Sequence, residues 1–325
     1  LASIDAAGVV AGWDLTSSAP LKDVLHALRT GGPQLLDAAY LLGGLGWSSM
    51  NSTRLEQVRV VQTRGSGKEV RVWNLIPGVT KQLAPQTTAP GARRLTAVAW
   101  AAGSCEGNQL AVGATGDNTV QVWDFLTGVG RVLRGHGGEI TNVAWSPFNC
   151  ARLASTSLDG SARVWNVGTG EFDALYGGAS GGTDTTMTAL AWSPDAADTL
   201  ATASWDGSVG LVELWDMSVE RPAGQRPPAL AVLTNRPSSL AWSTLPGGPL
   251  AVSAGTTVHV YDVAGNTRLP DLPERHTLEV LSLQWSPTKP GVLVSGGYDS
   301  RVVLWDLDTG AATTLLGHQG TVAAV

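Results

Sequence analysis

The sequence has few of the residues from which disulfide-rich, nucleic-acid-binding or membrane-spanning proteins are built. Only 2 of its 325 residues are cysteine, which excludes a disulfide framework and favours a reducing, intracellular compartment, cytoplasmic or nuclear. Charged residues make up 15%, with a formal net charge of −6, so non-specific binding to phosphate backbones is disfavoured. No uninterrupted apolar run is long enough for a membrane span, so we expect no membrane insertion.

The motifs of common enzyme and metal sites are missing as well. The chain contains no Cys-x-x-Cys or His-Glu-x-x-His segment, and its 5 histidines are scattered, so we expect neither a metal nor a cofactor. The segment from Gly65 to Lys68 resembles the end of a phosphate loop. It lacks the earlier glycine and the Ser or Thr after the lysine, so we interpret it as a hairpin turn.

What the sequence does have is an abundance of tryptophan, 13 residues, most of which recur in two alternating registers. An internal period of roughly 40 to 50 residues in a β-rich chain predicts a propeller of four-stranded blades. The first-register segments end at Trp100, Trp145, Trp192, Trp242 and Trp285, and the second-register aromatics are Trp13, Trp73, Trp123, Trp165, Trp215, Tyr261 and Trp305.

Between the two registers lies a third segment, such as Leu153 to Gly160, which ends in a turn containing aspartate. Gly-His pairs precede a first strand at Gly135-His136 and Gly317-His318. With the repeated Trp-Asp, these features resemble the WD40-repeat family over essentially the whole chain. The resemblance implies an all-β, seven-bladed propeller, because there are seven second-register aromatics.

The ends of the chain complement each other. Residues 1–28 are typical of the second, third and fourth strands of a blade, and Thr321 to Val325 are typical of a first strand. We therefore expect the C-terminal strand to pair with the N-terminal strands and close the ring, and we expect a longer parent polypeptide. The predicted single domain, 1–325, divides into blade 1 (1–28 with 319–325), blade 2 (40–86), blade 3 (94–135), blade 4 (138–177), blade 5 (185–235), blade 6 (236–272) and blade 7 (278–317).

In this family a histidine, a serine or threonine, an aspartate and a tryptophan form a hydrogen-bonded chain across each regular blade. The resemblance implies two such sets. Out of context, Ser, His and Asp would suggest a hydrolase triad, but the same trio recurs at blade spacing, which favours a structural role. The two sets are His136, Ser155, Asp159 and Trp165, and His276, Ser295, Asp299 and Trp305.

The resemblance also implies a binding face, formed by the aspartate turns and the Gly-His loops around the central channel. The residue before the turn aspartate points to that face, and aromatic side chains there are typical of protein-recognition hot spots. The alternative is that the aromatics only pack against adjacent loops. The face residues are Leu158, Trp205 and Tyr298 before the turns, and Arg94, Glu139, Thr186, Arg236 and Glu279 around the channel mouth.

These observations favour a non-enzymatic scaffold that binds other protein subunits or peptide segments within a multisubunit complex. RNA or ribonucleoprotein recognition is the alternative, with Trp205 and Arg236 as its natural carriers. A propeller enzyme is a third, least favoured class. The acidic net charge favours protein partners over RNA, and a salt-dependent RNA-binding assay separates the two.

Overall fold

The computed structural model shows β-strands joined by turns in the part of the chain that it describes. Within the described residues the chain forms 26 β-strands and no helix, so none of them belongs to a helix that is long and apolar enough to span a membrane. The all-β prediction is confirmed for this part of the chain. The described residues are 2–5, 10–12, 59–64, 69–74, 80–83, 95–101, 109–114, 116, 118–124, 127–176, 185–219, 225–273, 275–286, 289 and 291–325.

The described strands form seven antiparallel sheets, and consecutive strands are neighbours except where the two chain ends meet. Two sheets have three described strands: β1 (Ala2–Asp5), β2 (Val10–Gly12) and, from the other end, β26 (Val322–Ala324); then β3 (Arg59–Arg64), β4 (Glu69–Asn74) and β5 (Thr80–Leu83). The third is four-stranded, with β6 (Leu95–Trp100), β7 (Gln109–Ala114), β8 (Val120–Asp124) and β9 (Gly130–Leu133).

The other four sheets repeat this four-stranded pattern. Their strands are β10 (Ile140–Trp145), β11 (Arg152–Ser157), β12 (Ser161–Asn166) and β13 (Phe172–Tyr176); β14 (Thr186–Trp192), β15 (Thr199–Trp205), β16 (Gly210–Asp216) and β17 (Ala229–Leu233); β18 (Pro237–Trp242), β19 (Leu250–Ala254), β20 (Thr257–Asp262) and β21 (Thr267–Arg268); and β22 (Val280–Trp285), β23 (Val292–Gly297), β24 (Val302–Asp306) and β25 (Ala311–Leu315).

The tryptophans that end the first strands connect neighbouring sheets. Each indole N–H donates to a backbone carbonyl in the first strand of the preceding sheet, at the residue before that strand's own tryptophan. A buried indole needs such a partner, so the repeated tryptophan joins one sheet to the next. The four bonds are Trp145 to Ala99, Trp192 to Ala144 and Trp242 to Ala191, each 3.1 Å, and Trp285 to Ala241, 2.9 Å.

A β-bulge near the start of the first strand makes a second connection between sheets. The pairing register shifts at the same place in β6, β10, β14, β18 and β22. The residue at the shift bears a hydroxyl in the first four of these strands, and in three of them this hydroxyl donates to the next sheet's first strand. The donors are Thr96 to the Ile140 carbonyl, Thr141 to that of Met187, 2.8 Å, and Ser238 to that of Val280.

The apolar core lies between neighbouring sheets rather than inside one sheet. One cluster joins Ala111 and Val122 to Val143, Leu153 and Trp165, and therefore spans the β6–β9 and β10–β13 sheets. Four second-register tryptophans are almost fully buried: Trp123, Trp165, Trp215 and Trp305. Each sheet therefore depends on its neighbours for the burial of its apolar faces.

The two ends of the chain meet in one sheet. Strand β1 pairs antiparallel with β26, with Ile4 opposite Ala324 and Asp5 opposite Val322, and it pairs on its other side with β2. Val322 is fully buried and packs in a small cluster with Val294 and Val302 of the neighbouring β22–β25 sheet.

One cysteine departs from the sequence-based expectation. Cys150, in the turn after β10, is disulfide-bonded, and no described cysteine is free. The chain's other cysteine, Cys105, lies outside the described residues. A low cysteine count excludes a disulfide framework, but it does not exclude a single bridge.

Candidate protein-interaction face

The β10–β13 sheet contains a complete hydrogen-bonded chain from its interior to its turn. The Trp165 indole N–H donates to the Ser155 hydroxyl, 2.8 Å, and that hydroxyl lies 2.8 Å from His136 Nε2. His136 Nδ1 lies 2.9 Å from the Asp159 carboxylate. The directions are consistent when a neutral imidazole carries its proton on Nδ1, since the serine hydroxyl then donates to Nε2.

The equivalent chain in the β22–β25 sheet lacks one link. His276 Nδ1 lies 2.9 Å from Asp299, and His276 Nε2 lies 2.6 Å from the Ser295 hydroxyl. The Trp305 indole N–H is buried and has no hydrogen-bond partner among the described residues. The two sets that the sequence singles out are thus brought together, but they are not equally complete.

The electrostatics of these chains follow from burial and hydrogen bonding. Burial raises the pKa of the Asp159 carboxyl, but hydrogen bonds from His136, Ser161 and the Gly137 amide lower it more, so it lies well below its ordinary value. The pKa of the Asp299 carboxyl is lowered in the same way, because burial raises it but hydrogen bonds from His276 and Thr277 lower it more. Burial also lowers the pKa of the His136 imidazole, against the pull of Asp159.

These side chains are placed to stabilise a turn, not to attack a substrate. The Ser155 hydroxyl is fully buried and its hydrogen bonds are taken up by Trp165 and His136. Asp159 accepts from the Gly137 amide as well as from His136. The chain therefore fixes the loop before β10 to the β11–β12 hairpin, and so sets the position of the hairpin tip.

The predicted face residues at the hairpin tips are held by backbone bonds to residues that are predicted to lie around the channel mouth. The Leu158 amide donates to the Glu139 carbonyl and the Tyr298 amide to the Glu279 carbonyl, each 2.9 Å. The Leu158 side chain is 40% exposed and that of Tyr298 is 41% exposed. Two equivalent hairpins thus present a large apolar side chain to solvent on a rigid support.

Trp205 sits differently from these two residues. Nine positions separate Asp206 from Trp215, against six from Asp159 to Trp165. The three added residues lengthen the β15–β16 ladder, so that Trp205 pairs with Gly210 at the strand end. It also pairs with Thr186, and its side chain is half-buried. Trp205 is therefore less exposed than Leu158 and Tyr298.

The charged residues predicted around the channel mouth are only partly brought together. The Arg236 guanidinium and the Glu279 carboxylate approach to 4.0 Å across neighbouring sheets, and both are at least partly exposed. Glu139 is exposed. Arg94 lies outside the described residues.

Sequence reasoning missed a buried acid in β16. Glu213 is 2% exposed, and burial raises the pKa of its carboxyl to about 7, although Arg226, at 3.8 Å, opposes the shift. One Glu213 carboxylate oxygen has no hydrogen-bond partner among the described residues. The available signal was a charged residue inside the otherwise apolar run from Leu211 to Trp215.

It also missed three residues on the same face as Tyr298. Leu278 and Leu316 are 52% and 73% exposed, and Ser300 has a positive φ of 63°. The signal for Ser300 was its place directly after a turn aspartate, where Gly160 and Gly207 stand in other repeats.

Comparisons with known proteins agree with this geometry. The family model "WD domain, G-beta repeat" matches residues 129–166 and 271–306, the two ranges that contain the hydrogen-bonded chains. The chain is 39% identical to mouse Elongator complex protein 2 over 94 residues, which is 27% of this chain and 11% of that protein. It is 27% identical to protein transport protein SEC31 of Chaetomium globosum over 242 residues, 70% of this chain and 18% of that protein.

The chain therefore spans less than a fifth of the length of these two relatives. Among solved structures, a chain of the crystal structure of the mitotic checkpoint complex superposes with a TM-score of 0.67 and 24% identity. The match covers 88% of this chain and 80% of that one. At this identity the likeness shows the fold alone.

Proposed function

We propose that this chain, which belongs to the WD40-repeat family, is a non-enzymatic scaffold that binds partner proteins within a multisubunit complex. The observation that carries the proposal is the pair of exposed side chains, Leu158 and Tyr298, at equivalent hairpin tips. Each tip is fixed by a backbone bond to the channel-mouth segment. Rigid, exposed apolar and aromatic side chains are the usual anchors of protein interfaces.

The interaction face is proposed to include the surrounding residues as well. Trp205 offers a large ring at the end of the long β15–β16 hairpin, and Arg236, Glu139 and Glu279 supply mixed charge that orients a partner. Arg94 is included on its sequence position alone. The names of the relatives fit this class, since Elongator complex protein 2 is by its name a component of a complex.

We also propose that the seven sheets are the blades of one closed ring, with the predicted blade boundaries. The pairing of β1 with β26 supports closure, and the tryptophan bonds support a regular progression from sheet to sheet. A closed ring keeps the face rigid, because every blade then packs between two neighbours.

The test is cross-linking of the purified chain to its captured partner, followed by mapping of the cross-linked residues. Replacing Trp205 and Tyr298 together by alanine should release the partner while the melting temperature stays nearly unchanged. Phe148→Ala is the control, because Phe148 is 47% exposed but lies in the β10–β11 loop at the other end of the strands. Release by Phe148→Ala alone would place the interface on the opposite face and contradict the proposal.

RNA recognition is the competing outcome of the same experiment. A captured RNA whose affinity falls steeply with salt and is lost on Trp205→Ala or Arg236→Gln would replace the protein-scaffold proposal.

A further inference from the structure

The end of the β22–β25 sheet that carries Tyr298 has an unusual set of side chains. The pairs Val280–Gly297 and Val302–Leu315 close the sheet at this end, so the residues just beyond them lie side by side, about 5 Å apart from strand to strand. Beyond these pairs lie Leu278, Tyr298, Ser300, Arg301 and Leu316, which we name the β22–β25 strip. Two carboxylates lie among them, but Glu279 approaches Arg236 and Asp299 accepts from His276 and Thr277.

The strip is apolar at three points. Leu278, Tyr298 and Leu316 are 52%, 41% and 73% exposed. At the same end of the β10–β13 sheet, Gly138 stands where the strip has Leu278. Exposed large apolar side chains that follow one another across a sheet end mark a contact surface.

The backbone of the strip is strained at Ser300. Its φ is 63°, a left-handed conformation that glycine adopts without penalty and serine does not. The equivalent positions after the turn aspartate are Gly160 and Gly207, with φ of 78° and 96°, and Asn118, with φ of 54°. Asparagine tolerates this conformation better than serine does. Strain of this kind is found where a side chain serves a ligand, so the serine hydroxyl needs an explanation beyond the turn itself.

The polar groups of the strip have no partner within the part of the chain that the structure describes. The Tyr298 and Ser300 hydroxyls and the Arg301 guanidinium make no side-chain hydrogen bond or ion pair there. The nearby arginines differ, since Arg236 approaches Glu279 and Arg275 approaches Asp271. The strip therefore offers one cation and two hydroxyl donors between apolar side chains.

We propose that the strip binds a short partner segment in which a carboxylate side chain is flanked by apolar residues. The carboxylate pairs with Arg301 and accepts from the Ser300 and Tyr298 hydroxyls, and such charge-assisted bonds are the stronger kind. The flanking apolar side chains pack on Leu278 and Leu316. The inference rests on the proposed scaffold function and names the chemistry of its partner.

The test uses a displayed library of random peptides, selected on the wild-type chain. The enriched peptides should carry Asp or Glu next to Leu, Ile or Phe. Arg301→Gln should weaken their binding about tenfold or more, as expected for a desolvated charge pair at a hot spot. Lys289→Gln is the matched control, because Lys289 is a cation in the β22–β23 loop at the opposite end of the same sheet, and it should leave binding unchanged.

Ser300→Gly separates a ligand role from a structural one. Glycine relieves the left-handed strain, so the melting temperature should hold or rise while peptide affinity falls severalfold. The proposal is wrong if the enriched peptides lack acidic residues, if none is enriched, or if Arg301→Gln binds them like the wild type. If Arg301→Gln binds the peptides like the wild type but a partner still cross-links at Leu158 or Trp205, the scaffold proposal holds and only the strip proposal is wrong.

Discussion

The side chains of Ser155 and Ser295 hold the same position in two hydrogen-bonded chains that differ by one bond. The Ser155 hydroxyl serves both the Trp165 indole and His136, whereas Ser295 serves only His276, because the Trp305 indole has no partner among the described residues. The two serines therefore allow the value of the indole link to be measured within one protein.

We expect Ser155→Ala to destabilise the fold more than Ser295→Ala. The first change leaves two buried polar groups without a partner and should lower the free energy of unfolding by about 2 to 4 kcal/mol; the second leaves one and should cost about 1 to 3 kcal/mol. Chemical denaturation of both variants measures the difference. Equal losses would mean that the Trp165 bond contributes nothing to stability.

Glu213 gives a prediction about pH. Burial raises the pKa of its carboxyl to about 7, whereas in the unfolded chain it ionises near pH 4.3. The fold therefore favours the neutral form, and the wild type loses stability as the pH rises from about 4 to 7. Glu213→Gln cannot ionise, so its advantage over the wild type should grow across this range and level off above it, on the order of 3 to 4 kcal/mol.

The measurement is the melting temperature of both proteins at acid, neutral and mildly alkaline pH. Glu139→Gln is the control for replacing a carboxylate by an amide, because Glu139 is exposed. A Glu213→Gln variant that is no more stable than the wild type at alkaline pH would mean that the Arg226 ion pair outweighs the cost of burying the charge.

At the scale of the strand and turn, two glycines allow the cost of a left-handed backbone conformation to be measured apart from the cost of a clash between sheets. Gly160 and Gly207 follow equivalent turn aspartates and both have positive φ. A Cβ at Gly160 would lie 2.9 Å from the Thr185 carbonyl, at the entry to β14, whereas one at Gly207 would meet nothing within 4 Å.

Gly207→Ala should therefore cost only the left-handed conformation, about 1 to 2 kcal/mol. Gly160→Ala adds a backbone clash with the next sheet, which should cost about 1 kcal/mol or more beyond that. Equilibrium unfolding of the two variants gives the comparison. If their stabilities are equal, the turn and the next sheet are not in the close contact described.

Local patterns predicted the strands and their turns, but not how an insertion or a bulge is accommodated. The segment from Leu153 to Gly160 alternates and ends in a turn, and β11 enters its hairpin there. The added residues before Trp215 were visible in the sequence, yet a longer loop and a longer ladder fit them equally well, and packing against β14 decides between them. The hydroxyls at four of the five bulges were equally visible, but three of them donate to another sheet, which no local pattern specifies.

The sequence also indicated only some residues of the candidate face. Tyr298 and Leu158 follow from their place before a turn aspartate, which the repeat defines. The strip partners Leu278 and Leu316 come from segments on either side of that repeat's core, and only the sheet register places them beside Tyr298. Glu213 was missed because a strand pattern does not reveal whether a polar position faces solvent or the neighbouring sheet.

For the molecule as a whole, each sheet is stabilised by its neighbours. The tryptophan bonds and the bulge hydroxyls run from sheet to sheet, and the apolar clusters cross the same boundaries. In such an array a break at one boundary weakens the adjoining sheets as well. The pairing of β1 with β26 is therefore the contact on which a closed ring depends.

A pair of cysteines tests that contact directly. Ile4 lies opposite Ala324 in the register of β1 and β26, and directly opposed residues in antiparallel strands have Cα atoms about 4.5 to 5.5 Å apart, within the range for a disulfide. Ile4→Cys with Ala324→Cys should therefore cross-link on oxidation. Because the bridge closes almost the whole chain into a loop, it should add up to about 5 kcal/mol to the stability of the oxidised protein.

The matched control is Val10→Cys with Ala324→Cys. Val10 pairs with Ile4 from the other side, so it lies two strands from Ala324, about 10 Å away, which is too far for a bridge. Peptide mapping should find the new disulfide only in the first variant, and its melting temperature should fall on reduction by more than that of the wild type. Free thiols in both variants would show that the chain ends do not share a sheet in solution, because cysteines that lie opposite each other at positions 4 and 324 are close enough to form a disulfide.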